Sequence, residues 1–198
     1  GIRFFGVEVA AVRIDASRPA PLFRLIAQPN DWTKKVHTDQ ASALSGKSAI
    51  YFDFWNKLLG RIHEEHPEWT RSLTGSRSSW ITLPYGKSTV WYSLLFTRTT
   101  AAVELYFGGP DAEANVSEYE AVAAYQTVLE AEVGASLLFD PLPDRKACRI
   151  RLDRPAGGDV TDVASHGALI DWFMDAFGRF RGATQHVRDL LASEGSGA

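Results

Sequence analysis

The sequence predicts an α+β protein: an antiparallel sheet of about five strands with three helices, preceded by a β-hairpin. Three observations carry this. Apolar residues alternate with polar ones in five short runs between Ser79 and Leu152, the period of a half-buried strand. Apolar residues recur at helical spacing in three other runs. Strand runs are adjacent rather than each followed by a helix, which disfavours a doubly wound parallel sheet and favours helices gathered on one face.

The opening run "GIRFFGVEVAAVRI" alternates as a strand over residues 3–14. "DASRPAP" ends it with Ser17, Pro19 and Pro21, residues suited to turns. "LFRLIAQP" (22–29) reads as a second strand, so residues 1–28 form a hairpin. An isolated hairpin is marginal in water and needs a surface to pack on. Residues 29–48 are polar with little periodicity and read as a linker.

The main domain is expected over 49–192. In its first helix Tyr51, Trp55, Leu58, Leu59 and Ile62 share a face, and Pro67 ends it. "SWITLPYG", "STVWYSLLFTR" and "TAAVELYFGG" are three antiparallel strands, with Val90, Tyr92, Leu94 and Phe96 on one face of the second and Val103, Leu105 and Phe107 on one face of the third. "GGPDAEANVSEYEAVAAYQTVLEAEVG" reads as one helix with Val122, Tyr125, Leu129 and Val133 inward and Gly134 as its C-terminal cap. "SLLFDPLP" and "KACRIRLD" add two strands; Cys148, Ile150 and Leu152 alternate with Arg149 and Arg151. The last helix spans about 163–192, with Leu169, Phe173, Phe177, Phe180, Thr184, Val187 and Leu191 inward, and 193–198 is a flexible tail.

Composition narrows the function classes. The 198 residues are 45% hydrophobic and 23% charged, near the soluble average. Net charge is −3, so no global positive field draws the chain to nucleic acid and any such binding needs a local patch. Cys148 is the only cysteine, which excludes an internal disulfide and suits a reducing cytoplasm. No apolar run approaches the roughly 20 residues of a membrane span, and the opening residues lack the positive region, apolar stretch and cleavage site expected of a signal peptide. A cytoplasmic location follows as the expectation.

Several motifs suggest chemistry, each with a plainer reading. "ASALSGKS" (41–48) matches a permissive phosphate-loop string, and Asp140 could serve as its acidic strand residue. "KKVHTDQ" before it is not a buried strand, so a linker followed by a helix capped by Ser48 fits better. His63 and His66 lie three apart, whereas zinc proteases use a spacing of four; a solvated helix end is the plainer reading. Asp111 with Asp144-Arg145-Lys146 mimics a nuclease carboxylate pattern, but Asp111 opens a helix and Asp144 lies in a turn. No Gly-x-Ser-x-Gly occurs, and Cys148 reads as a small buried hydrophobe. No catalytic residue, metal site or cofactor is expected.

The basic strip is the candidate site. Arg145, Lys146, Arg149, Arg151 and Arg154 line one strand and its ends. If the apolar faces point inward, Trp91, Tyr106, Arg149 and Arg151 share the opposite face. Aromatic rings beside guanidinium groups suit bases and phosphates. Glu104 on that face opposes this, as do Glu118, Glu120, Glu130 and Glu132 on the middle helix.

In order, "GIRFFGVEVAAVRI", "APLFRLIAQPNDW", "YFDFWNKLL", "AAVELYFGGPDA" and "LPDRKACRIRL" resemble the C-terminal part of an uncharacterised bacterial family. Its members carry an N-terminal domain of the restriction-endonuclease or transfer-RNA-endonuclease type, then an α+β domain of unknown function. The resemblance implies that the hairpin is the tail of the nuclease-like domain, whose metal-binding residues map onto nothing here. The chain is then a fragment, or a protein that has lost its catalytic half. The expected function is non-catalytic: to aid nucleic-acid or partner binding in a nuclease-like protein. The alternative is a protein–protein or homodimerisation module without a nucleic-acid role. Expected partners are DNA or RNA, a second copy, or the missing nuclease-like half, and not a membrane.

Overall fold

The computed structural model describes the backbone of residues 6–12, 20–27 and 31–195 and the side chains of 46–194. Two compact units divide the chain, Gly1–Gly46 and Lys47–Ala198.

In the first unit, β1 (Gly6–Val12) pairs antiparallel with β2 (Ala20–Ala27), Val7 opposite Leu25 and Val12 opposite Ala20. This is the expected hairpin; residues 3–5, 13 and 14 of the predicted strand and most of the turn lie outside the described residues. The expected linker differs. α1 runs Asp31–Glu65, so the 31–48 stretch is helical and Ser48 is no N-cap. No proline lies between Pro29 and Pro67 to interrupt the backbone ladder. The Ser48 hydroxyl instead donates to the Arg77 carbonyl at 3.1 Å.

The second unit is built on a five-stranded sheet of β3 (Trp80–Pro84), β4 (Val90–Phe96), β5 (Ala101–Phe107), β6 (Leu138–Asp140) and β7 (Cys148–Asp153). The order is β3-β4-β5-β7-β6 and every pairing is antiparallel. The expected class and strand count hold. The helix count does not: the middle helix is two, α2 (Ala112–Ala123) and α3 (Gln126–Val133), before the final α4 (His166–Gly195). The break sits at Tyr125, whose φ of −95° and ψ of 23° leave the helical region. There the Tyr125 N–H bonds back only three residues to Val122, and its hydroxyl donates to Glu194 of α4 at 2.8 Å. α4 also takes in residues 193–195 of the expected tail.

One sheet face is the core. Val90, Tyr92, Leu94, Phe96, Val103, Leu105, Phe107, Cys148, Ile150 and Leu152 are all buried, as alternation predicts. Against them pack Phe54, Trp55 and Leu58 of α1 and Phe173, Phe177 and Phe180 of α4. Thr184 is a buried polar member of the α4 stripe. It donates to the Phe180 carbonyl at 2.8 Å and lies 2.8 Å from the Tyr92 hydroxyl, which satisfies both buried groups.

Two local devices fix the loop after β5. Asp111 caps α2, its carboxylate accepting from the N–H groups of Glu113 at 2.9 Å and Ala114 at 3.3 Å. Asn115 is 2% exposed. Its amide donates to the carbonyls of Gly109 and Lys146 and its oxygen accepts from the Gly109 N–H. "GGPDAEAN" is therefore a structural clasp joining β5, α2 and the turn before β7.

Candidate functional site

Register sets the second sheet face. Pro84, Trp91, Tyr106, Arg149 and Asp140 face one another in a row across all five strands. The next row is Thr82, Ser93, Glu104, Arg151 and Leu138. Residues directly opposite in antiparallel strands point to the same side, so Trp91, Tyr106, Arg149 and Arg151 do share the face opposite the core.

Trp91 and Tyr106 form a tilted pair, ring centroids 5.2 Å apart at 35°. Gly108 seats them: a Cβ there would stand 2.5 Å from the Trp91 ring and 2.7 Å from the Tyr106 ring. Trp80, Trp91, Ser93, Leu95, Glu104, Tyr106, Arg145 and Arg149 line a cavity of 350 Å³. Trp80 is 52% exposed.

The cations are less available than their spacing suggests. Arg149 donates from Nε and Nη2 to Asp140 Oδ2 at 3.1 and 2.8 Å. Arg151 donates from Nη2 to Asp153 Oδ2 at 3.0 Å. Arg154 bonds the Gly157 carbonyl at 2.7 Å. Arg145 is exposed and lines the cavity; Lys146 is exposed but lies outside that lining. The structure thus brings Trp91, Tyr106, Arg145 and Arg149 to one cavity, places Arg151 in the adjoining row, and leaves Lys146 apart. Sequence reasoning missed Trp80 and the two carboxylates, Asp140 and Asp153, that hold the arginines. Reading "LFD" and "CRI" as a hairpin in register would have found the Asp140–Arg149 pair.

Glu104 is the unusual member. It is 6% exposed, and its Oε2 has no hydrogen-bond partner, although Arg149 Nη1 stands 3.7 Å away. Burial raises its pKa, against the pull of Arg149 and Arg151 and a bond from Ser93. Asp140 moves the other way: burial pushes it up, but the bonds from Arg149 and the Leu142 N–H outweigh this and hold it below the usual range.

These shifts have opposite signs in stability. A carboxyl whose pKa is raised by folding stabilises the fold at low pH, and that contribution is lost as pH rises through the folded value. A depressed carboxyl such as Asp140 stabilises above its unfolded value and loses the contribution as pH falls. Glu104→Gln keeps the shape and removes the buried charge. It is expected to raise the thermal midpoint at neutral pH and to leave it nearly unchanged near pH 4, where both side chains are neutral. Paired thermal melts at the two pH values check this; a lower midpoint at neutral pH would mean that attraction to Arg149 outweighs burial.

The other motifs resolve into structure. The "ASALSGKS" string lies within α1, and a helix interior has no free N–H groups for phosphate. His63 meets the Ser72 carbonyl at 2.9 Å, while His66 stacks on Trp69 with centroids 4.0 Å apart, so the two do not converge. Asp111 is a cap and Asp144 lies in an exposed turn. Among the described residues no three His, Cys, Asp or Glu side chains are grouped to hold a metal ion, and no helix is long and apolar enough to cross a membrane. Cys148 is 1% exposed and its thiol donates to the Pro141 carbonyl at 3.4 Å.

No curated protein and no solved structure matches the chain. A family model does match, over residues 50–188. That stretch holds all five strands of the main sheet together with α2, α3 and most of α4, and the chain belongs to the family it describes, Domain of unknown function (DUF4268).

Proposed function

We propose that the outer sheet face is a non-catalytic binding surface for single-stranded nucleic acid, and that this domain holds substrate for a nuclease-like bacterial protein. The carrying observation is the aromatic row: Trp91 and Tyr106 paired across β4 and β5, with Trp80 and Arg145 on the same cavity. Every base has a π-face, and splayed bases stack on such rings, whereas duplex bases are already stacked. The nuclease-like association rests on the resemblance of the quoted strings.

The paired arginines set a quantitative expectation. Arg149 and Arg151 are held by Asp140 and Asp153, so phosphate contacts fall to Arg145 and at most Lys146. For single strands each contact contributes about −0.7 to the slope of log K against log salt. A slope between about −0.7 and −1.4 is expected by fluorescence anisotropy, flattened by Arg145→Ala with Lys146→Ala. Preference for duplex, or no binding at low salt, would overturn the reading.

One feature favours a protein-interaction module instead. Trp80 is 52% exposed on β3, which among the described residues pairs with β4 alone at the edge of the sheet, and such an edge can accept another chain. A monomer by light scattering at high concentration would remove the homodimer form of this reading.

A further inference from the structure

We propose that Glu104 and Arg149 read the Watson–Crick edge of one guanine seated against the Trp91–Tyr106 pair. The inference rests on the single-strand reading above and adds to it a base identity and the residues that select it.

Buried polar atoms without partners are uncommon, and each calls for a reason. Among the described residues five side-chain atoms are in this condition, and three lie on this face: Glu104 Oε2, Arg151 Nε and Asp153 Oδ1. The Glu104 oxygen is the costly one, because an ionised carboxylate loses most when taken from water. Glu104 lines the aromatic cavity, as does Arg149. Arg149 commits Nε and Nη2 to Asp140. Its Nη1 is left 3.7 Å from Glu104 Oε2, too far for a hydrogen bond. Beside the rings, the cavity is therefore lined by a carboxylate whose Oε2 has no hydrogen bond and, within ion-pair range of it, an arginine nitrogen that Asp140 does not hold.

A base that completes both must carry an acceptor next to N–H donors on one edge. Guanine presents O6, then N1–H, then the N2 amino group. O6 matches Arg149 Nη1, and the two donors match the carboxylate. Cytosine and adenine place one amino group beside a bare ring nitrogen, which the carboxylate repels. Thymine and uracil have one N–H between two carbonyl oxygens, and the second carbonyl faces the carboxylate. Asp140 keeps Arg149 in place, and Ser93 bonds Glu104, so both reading groups are held before a base arrives.

The test uses the whole chain and three labelled oligothymidines that differ at one central base: guanine, hypoxanthine or thymine. Hypoxanthine is guanine without the N2 amino group. Anisotropy titrations of the unaltered protein should show guanine bound about tenfold tighter than hypoxanthine or thymine, within the range of a good bidentate base contact. Glu104→Gln, whose carboxamide opposes a donor to one of guanine's donors and relieves the repulsion of the thymine carbonyl, should weaken guanine binding and bring the three oligonucleotides within about twofold. Equal binding of the three by the unaltered protein overturns the guanine reading and leaves the stacking surface standing. A guanine preference that survives Glu104→Gln removes Glu104 from the role. Failure to bind any of the three overturns the single-strand reading and this inference with it.

Discussion

Trp55→Ala is expected to cost about 3–5 kcal/mol of stability, the range for removing a buried aromatic side chain from a core. Trp55 is fully buried. Its ring meets Phe54 at 5.1 Å, Phe96 at 5.3 Å and Phe173 at 5.6 Å, so it touches α1, the sheet and α4 at once. Its Nε1–H also donates to the Ser78 carbonyl at 2.9 Å, which fixes the segment leading into β3. The truncation removes dispersion contacts on three sides, leaves a void, and strands the Ser78 carbonyl. Domain stabilities are about 5–15 kcal/mol, so this change consumes a large share of the margin. Urea unfolding followed by circular dichroism checks it. Trp172→Ala, at a half-buried position on the edge of the same cluster, should cost clearly less. Similar costs at both sites would mean that the core is not centred where the packing puts it.

The second large effect is on binding. Trp91→Ala with Tyr106→Ala removes both rings of the outer row, and each stacked base is worth about 1–3 kcal/mol. Affinity for single strands should fall at least tenfold, and more if two bases are stacked. Both residues are only partly buried, so the thermal midpoint should fall much less than in Trp55→Ala. Anisotropy and melting on the same preparation separate the two effects. Gly108→Ala offers a milder route, since the new methyl displaces the ring pair without removing it. Unchanged affinity in the double variant would move the binding surface off this face.

The inward half of the sheet was legible because its signal is local. Val90, Tyr92, Leu94 and Phe96 alternate within one strand, and alternation alone assigns their side. The same logic placed Trp91, Tyr106, Arg149 and Arg151 together. Pairing was not legible to the same degree. The partner of Arg149 depends on how β6 lies against β7, and β6 is three residues long with little pattern of its own. The cations therefore read as free when two of them are held. The second half of α1 was expected; its first half was not, because residues 31–48 have no apolar stripe, so periodicity could not announce a helix there. The middle helix divides at Tyr125, where the N–H bonds back three residues to Val122, a local change of backbone angle that apolar periodicity does not register. Phe54 was passed over because the spacing of Tyr51 and Trp55 already filled the stripe; it is fully buried between α1 and α4.

The sealed thiol has a practical consequence. Cys148 begins β7, the strand enclosed by β5 and β6, and the chain has no other cysteine. Burial also raises its pKa, so little thiolate exists to react. Alkylation must then wait for the sheet to part, and its rate becomes a clock for opening of the β6 side. A dye attached through a new cysteine near Trp80 would meet almost no competing background, so one label on the outer sheet face would report whether a single strand binds there.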